Sequence, residues 1–242
     1  MRCGLFGKLP AKRDFIALFA PRGFLDSWEP WMQGSISASR QVLSQQWQQA
    51  FLTAPIWRFW LGAEICGRTV LGALMSSLDG LGRYYPLTVF GYADPGAAIP
   101  PPDLDPQEEW FAASEEFLLR TLEKDIAFEA VTGALDRLAA PRQETSGAWP
   151  DMLTNLAEGA VAARVEDRSF LDTFSALRAA NHASTYAAAS CWWTLGGSDF
   201  QPLALSCRRM PDAFLFASML TGRLSHGAMS SESRHSDAGG SR

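Results

Sequence analysis

Basic residues and histidines are in short supply in this chain of 242 residues. It carries 21 lysines and arginines against 26 acidic residues, so its formal net charge is -5. Proteins that wrap nucleic acid usually present a basic surface, so the charge argues against that class. Of three histidines, His226 and His235 lie in a polar C-terminal tail. Only His182 is left to begin a histidine-based metal site or catalytic triad, which disfavours both.

Long apolar runs are also missing. No stretch approaches the roughly 18 apolar residues that a membrane-spanning helix needs. Charged residues and proline interrupt the first 14 residues, so the N-terminus does not resemble an export signal. The cysteines are scattered and form no C-x-x-C pair, and we interpret them as reduced, mostly buried thiols. We therefore predict a cytoplasmic protein with no membrane span, no metal and no cofactor. The four cysteines are Cys3, Cys66, Cys191 and Cys207.

The remaining composition is that of a globular protein, with 47% hydrophobic residues. Short apolar stretches that end at glycine or proline predict β-strands. Apolar residues at helical spacing predict helices between them. This alternation indicates an α/β fold, which we expect to be a single domain over residues 1–224, followed by a disordered polar tail at 225–242. The predicted strands are 3–9, 56–61, 69–78, 84–92, 186–195 and 202–207, with a second short apolar piece at 14–19 and a weak strand or helix at 160–165. The predicted helices are 24–52, 106–138 with a break, 171–180 and 212–220.

Capping residues predict where two of these helices begin. Asp26 or Ser27 can cap the first helix, which would place Pro30 in its first turn, where proline is tolerated. Asp105 can cap the second helix, with Pro106 as its first residue. Residues 79–82 lie between strands 69–78 and 84–92 and have the composition of a turn, so we expect these two strands to form a hairpin.

The N-terminal segment Gly4-Leu5-Phe6-Gly7-Lys8 superficially resembles a phosphate-binding loop. Such a loop needs four residues between its glycines, and here there are two. We interpret the glycines instead as positions where a strand passes close to a packed neighbour.

A compact charged turn follows this strand. Charged loop residues beside rigid strands often contact partners, so the turn is either a solvated loop or a recognition patch. We expect Trp28 and Trp31 to lie near it. The predicted partner-binding residues are therefore Lys8, Lys12, Arg13, Asp14, Trp28 and Trp31.

Two further features bear on function. Ser76 or Ser77 could act with His182 as the catalytic residues of a hydrolase, but no G-x-S-x-G elbow surrounds either serine.

Trp192 and Trp193 are adjacent on a predicted strand, so they face opposite sides. We expect one indole in the core and the other against a second layer or a partner, since tryptophan is enriched in cores and at interfaces.

Five motifs follow one another along the chain. They are Gly4-x-Phe6-Gly7-Lys8-Leu9-Pro10, Asp14-Phe15, Trp28-x-x-Trp31, Tyr84-Tyr85-Pro86-Leu87-Thr88-Val89, and Trp192-Trp193-x-x-Gly196 followed by Pro211. In this order and spacing they resemble the TagF/ImpM family of proteins associated with type VI secretion, over about residues 3–222. One departure is Arg13, where the family usually has glycine before the Asp-Phe pair.

The resemblance implies a three-layer α-β-α sandwich with a central mixed or antiparallel sheet, which agrees with the predicted elements. It also implies a non-enzymatic cytoplasmic protein that represses the secretion apparatus after translation by binding its forkhead-associated scaffold protein. Two alternatives remain open at this point: the hydrolase described above, and a structural subunit of the assembly.

Overall fold

A seven-stranded antiparallel sheet forms the centre of the protein. The structure, a computed structural model, describes residues 2–123, 125–145, 153–156, 161–165 and 169–224. The strand order is β11-β10-β3-β4-β5-β1-β2, and every pairing in this sheet is antiparallel. Two small two-stranded sheets accompany it. The strands are β1 (Cys3–Gly7), β2 (Ile16–Leu18), β3 (Trp57–Leu61), β4 (Val70–Met75), β5 (Leu87–Tyr92), β6 (Ala97–Ala98), β7 (Glu144–Thr145), β8 (Leu153–Asn155), β9 (Val161–Ala163), β10 (Ala189–Thr194) and β11 (Leu203–Arg208).

Helices cover both faces of this sheet. On one face α1, α2 and α8 enclose an aromatic core that includes Phe24, Trp28 and Phe59. On the other face α4 and α5 enclose a second core that includes Trp60, Phe111 and Val131. The three-layer α-β-α sandwich is thus confirmed, and its main sheet is antiparallel. The helices are α1 (Arg22–Leu43), α2 (Trp47–Thr53), α3 (Ala63–Cys66), α4 (Glu108–Arg120), α5 (Phe128–Arg137), α6 (Phe170–Ala180), α7 (His182–Thr185) and α8 (Leu215–Thr221).

The expected hairpin between β4 and β5 is confirmed. Val70 lies opposite Tyr92 at one end of the pair, and Met75 lies opposite Leu87 at the other. In the turn, the Asp79 Oδ1 atom accepts hydrogen bonds from the backbone amides of Leu81 and Arg83, both at 3.0 Å. This side-chain capping of a turn is the usual role of aspartate at such positions.

The glycines of β1 allow close packing, as the sequence predicted. A Cβ atom at Gly4 would lie 2.4 Å from the ring of Phe90. Gly7 has a φ of +134°, and a Cβ there would lie 2.0 Å from the carbonyl oxygen of Pro86. Both glycines pair with β5 in the sheet, so the segment is a strand and not a phosphate-binding loop.

The predicted cap of the first helix, at Asp26 or Ser27, is wrong. Helix α1 begins at Arg22, four residues before Asp26, and Pro30 lies inside it. The fully buried side chains of Phe24, Trp28 and Met32 follow one another at intervals of one turn, so the helix must already be formed at Phe24 to bury its first aromatic ring. This burial outweighs the hydrogen bond lost at the proline.

The predicted start of the second helix is also wrong. Helix α4 begins at Glu108, after Gln107, whose φ of 47° is left-handed. Asp105 instead accepts a hydrogen bond from the Gln107 amide at 3.2 Å and binds the guanidinium group of Arg142, with 2.5 Å between Oδ1 and Nη2. The ion pair with a residue 37 positions along the chain fixes Asp105 outside the helix.

The paired tryptophans face opposite layers, as expected. Trp192 is completely buried in the core beneath α1, and its Nε1 donates to Ser190 Oγ at 2.9 Å. Trp193 is partly buried on the other face, where its ring meets that of Phe111 edge to face, with 5.0 Å between ring centroids.

Among the described residues, no helix has the length and apolarity to cross a membrane. The predicted tail at 225–242 lies outside the described residues.

Candidate partner-binding surface

A buried charge cluster anchors the charged turn between β1 and β2. The Asp79 side chain is completely buried, and its Oδ2 lies 3.0 Å from Lys8 Nζ and 2.7 Å from Arg83 Nε. Lys8 itself is only 6% exposed. One carboxylate therefore holds two cations and two backbone amides, which joins the end of β1 to the hairpin turn.

The surroundings of Asp79 stabilise its ionised form. Burial by itself raises the pKa of a carboxyl group, because desolvation disfavours the charged form. Here the backbone hydrogen bond from Arg83, the contacts with Lys8 and with the Arg83 side chain, and the Leu81 amide outweigh burial and hold the pKa of Asp79 well below its usual range. Asp79 is therefore ionised over the whole physiological pH range.

This depressed pKa predicts a pH-dependent contribution to stability. A carboxyl group whose pKa is lower in the folded state stabilises the fold above its unfolded pKa of about 3.9, and the contribution is lost as the pH falls through the folded value. The Asp79→Asn variant should therefore differ most from wild type in urea unfolding near neutral pH, with the difference shrinking below about pH 4. Asp14→Asn, at an exposed position, is the control. A difference for Asp79→Asn that does not change with pH would contradict this account.

The backbone of the charged turn is fixed while part of its surface stays open. The Gly80 amide donates to the Lys12 carbonyl at 2.7 Å, and the Arg83 guanidinium donates to the carbonyl of Arg13. The Lys12 ammonium lies 4.1 Å from the centre of the Phe128 ring. The side chains of Arg13 and Asp14 are exposed. The turn thus presents an arginine and an aspartate from a rigid base.

The six residues predicted to bind a partner differ in accessibility. Lys8 is held by Asp79 and Trp28 is completely buried, so a partner cannot touch either directly in this conformation. Trp31 is partly buried, and its Nε1 donates to the carbonyl of Pro211 at 2.8 Å. Both indoles support the core beneath α1. Arg13 and Asp14 are exposed, and Lys12 is partly so.

An open groove of about 500 Å³ begins beside this turn and runs along α1. Phe15, next to Asp14 in the chain, lines the groove and is 51% exposed, and the centre of its ring lies 5.1 Å from Lys8 Nζ. The Arg40 guanidinium, on α1, stacks over Trp47 at 4.3 Å. The groove therefore combines exposed apolar surface with a cation. It is lined by Phe15, Gln33, Ile36, Ser37, Arg40, Gln41, Tyr84 and Tyr85.

Tyr85 gives this groove an unused hydrogen-bonding group. The residue is 5% exposed, and its hydroxyl has no hydrogen-bond partner among the described residues. Burial, with a smaller contribution from nearby Glu29, raises the pKa of Tyr85, so the hydroxyl keeps its proton. Its ring packs edge to face on Phe15, with 4.7 Å between ring centroids. Buried hydroxyls are normally paired, so this one is an exception, but it lies beneath the surface and a partner cannot touch it directly in this conformation.

The serine–histidine pairing of the hydrolase hypothesis is not assembled. Ser76 and Ser77 follow Met75, at the end of β4, whereas His182 precedes the start of β10. β3 lies between β10 and β4 in the sheet, and its Leu61 pairs with Ser190 on one side and with Val70 on the other. The start of β10 is therefore level with the start of β4 and not with its end. At roughly 3.3 Å per residue, the five steps from Val70 to Met75 place the two ends of β4 about 17 Å apart. His182 Nε2 lies 3.2 Å from Glu144 Oε2. In the described part of the chain, no group of three or more His, Cys, Asp or Glu side chains could hold a metal ion.

Comparison with known proteins finds a family model and a solved structure that this chain resembles. Residues 4–138 match the model of the TagF N-terminal domain, described as type VI secretion system-associated. A solved structure, that of PA0076 from Pseudomonas aeruginosa PAO1, is similar over 93% of this chain and 96% of that chain, with a TM-score of 0.76 and 29% sequence identity. No curated protein matches the chain.

Proposed function

Because this chain belongs to the family of TagF N-terminal domains associated with type VI secretion, we propose that it is a cytoplasmic repressor that acts after translation. Its proposed mode of action is sequestration: it binds the forkhead-associated scaffold protein of the secretion system and keeps the apparatus inactive. The proposal assigns no catalytic step to the chain.

The observation that carries this proposal is the rigid, partly open surface at the charged turn. Protein partners favour sites that combine exposed apolar side chains with a few fixed polar groups. Phe15 supplies the apolar part, and Arg13 and Arg40 supply charge. Since the Asp79 cluster holds the turn in place before binding, a partner would not have to order it.

Deletion of the chain distinguishes a repressor from a structural subunit. We expect secretion by the type VI apparatus to rise, or to lose its regulation, when the chain is absent, because a sequestered scaffold would be released. The amount of secreted effector in culture supernatants measures this. Loss of secretion on deletion would instead support a structural subunit and contradict repression.

Complementation with surface variants then locates the activity. We expect Arg13→Glu combined with Arg40→Glu to fail to restore repression, because it reverses both cations of the proposed surface. Arg120→Glu changes an exposed arginine on α4 and should restore repression as wild type does. Equal repression by both variants would remove the charged turn and the groove from the proposed binding surface.

A further inference from the structure

Strand β11 forms an open edge of the central sheet. Within the described residues its only strand neighbour is β10, with which it pairs without interruption from Leu203 to Arg208. Edge strands expose unpaired amides and carbonyls, and proteins commonly protect them with lysine, proline, a bulge or a very short strand. β11 has six residues with no lysine, proline or bulge, and its one charged side chain is Arg208 at its end, whereas the opposite edge strand, β2, has only three residues.

The pairing with β10 determines which groups of β11 point outward. The Arg209 amide donates to the Ala188 carbonyl at 2.6 Å, while the Ala189 carbonyl accepts from Gly62 on the other side of β10. Bonded and non-bonded pairs alternate along an antiparallel ladder, so every second residue of β11 turns its backbone groups away from the sheet. All three outward residues have exposed side chains. They are Ala204, Ser206 and Arg208.

We propose that β11 pairs antiparallel with β11 of a second copy of this chain, about a two-fold axis at Ser206. In this register Ser206 lies opposite its own copy and Ala204 lies opposite Arg208. All outward backbone groups are then satisfied by about six hydrogen bonds, since each bonded antiparallel pair exchanges two. The half-buried Leu205 and Cys207 face each other across the interface and lose their remaining exposure to water.

Charge and symmetry both fit a second copy as the occupant. A two-fold interface must be self-complementary, and the register centred on Ser206 meets this condition because it matches all three outward residues with no like charges opposite each other. The two Arg208 side chains lie at opposite ends of the interface, each against an alanine. Sliding the pairing to centre on Arg208 would place like charges directly opposite, which is unfavourable.

The molecular mass of the protein in solution tests the proposed pairing of two β11 strands directly. Light scattering after size-exclusion chromatography should show wild type shifting from monomer to dimer as concentration rises. Ser206→Pro should stay monomeric and folded, because proline is tolerated on an edge strand where the lost amide proton pointed to solvent. Ser206→Ala is the matched control and should dimerise as wild type does. A wild-type chain that stays monomeric overturns the proposal, and the edge would then be open to a strand of a different protein. A dimer that persists in folded Ser206→Pro also overturns it.

Cross-linking tests the register. Bonded antiparallel pairs have Cα atoms about 5.5 Å apart, within the range that a disulfide spans. Ser206→Cys should therefore form a disulfide-linked dimer on mild oxidation, while Ala204→Cys, displaced from the axis, should not. Both are made in a Cys191→Ser, Cys207→Ser background, because Cys191 lies opposite Ser206 in the same chain. Equal cross-linking of the two variants, or none in either, contradicts the proposed register.

Discussion

Trp192→Ala is expected to lower the free energy of unfolding by about 3–5 kcal/mol, as large-to-small substitutions of buried aromatics do. The indole is completely buried, and its ring centroid lies 4.9 Å from that of Trp31 and 5.2 Å from that of Phe59. It also packs on Trp28, whose ring belongs to the same core. Truncation leaves a cavity between β10 and α1 and removes the donor to Ser190. Urea unfolding followed by far-UV circular dichroism measures the loss.

Trp193→Ala is the matched control, since it removes the same side chain from the next residue of the strand. Trp193 is only partly buried, so we expect a clearly smaller loss of stability. If the two variants were equally stable, the assignment of Trp192 to the core and Trp193 to the half-exposed layer would be contradicted.

Gly7→Ala is expected to prevent stable folding, or to reduce it severely. The φ of +134° disfavours any residue with a Cβ, and such strain costs on the order of 1–3 kcal/mol. The new atom would also lie 2.0 Å from the Pro86 carbonyl oxygen, so β1 and the start of β5 would have to separate. That separation would disturb the neighbouring Lys8–Asp79 contact. Soluble yield and thermal unfolding of the variant check this expectation.

Gly197→Ala serves as its control because a Cβ there meets no atom within 4 Å and the backbone is not in the left-handed region. We expect a stability close to that of wild type. A Gly7→Ala protein as stable as Gly197→Ala would show that the close approach between β1 and β5 is not required.

Much of the fold could be predicted from local sequence. The Asp79 turn, the glycines of β1 and the alternation at Trp192 each follow from conformational preferences of a few neighbouring residues, and all three are confirmed. The helix starts could not be predicted in this way. At Asp26 and Asp105 good capping residues were available, but burial of Phe24 and the distant Arg142 decided the outcome. These are tertiary interactions that local capping preferences do not contain.

The candidate surface was predictable only in part. The charged turn was found from its composition, yet burial of Lys8 depends on Asp79, 71 positions away, and no local pattern indicates that pairing. The groove along α1 was missed. Its helical side could have been found, because Gln33, Ser37 and Arg40 recur at helical spacing on a polar face. The free hydroxyl of Tyr85 could not, since it depends on how two layers pack.

Direct binding to the forkhead-associated scaffold of the same secretion system tests the proposed function most closely. Isothermal titration calorimetry with both purified proteins should give saturable binding with a dissociation constant of about 1 µM or tighter, a free energy of about -8 kcal/mol. The Arg13→Glu, Arg40→Glu variant should bind much more weakly, and Arg120→Glu should bind as wild type does. Absence of any binding by the wild-type chain at micromolar concentrations would contradict the account.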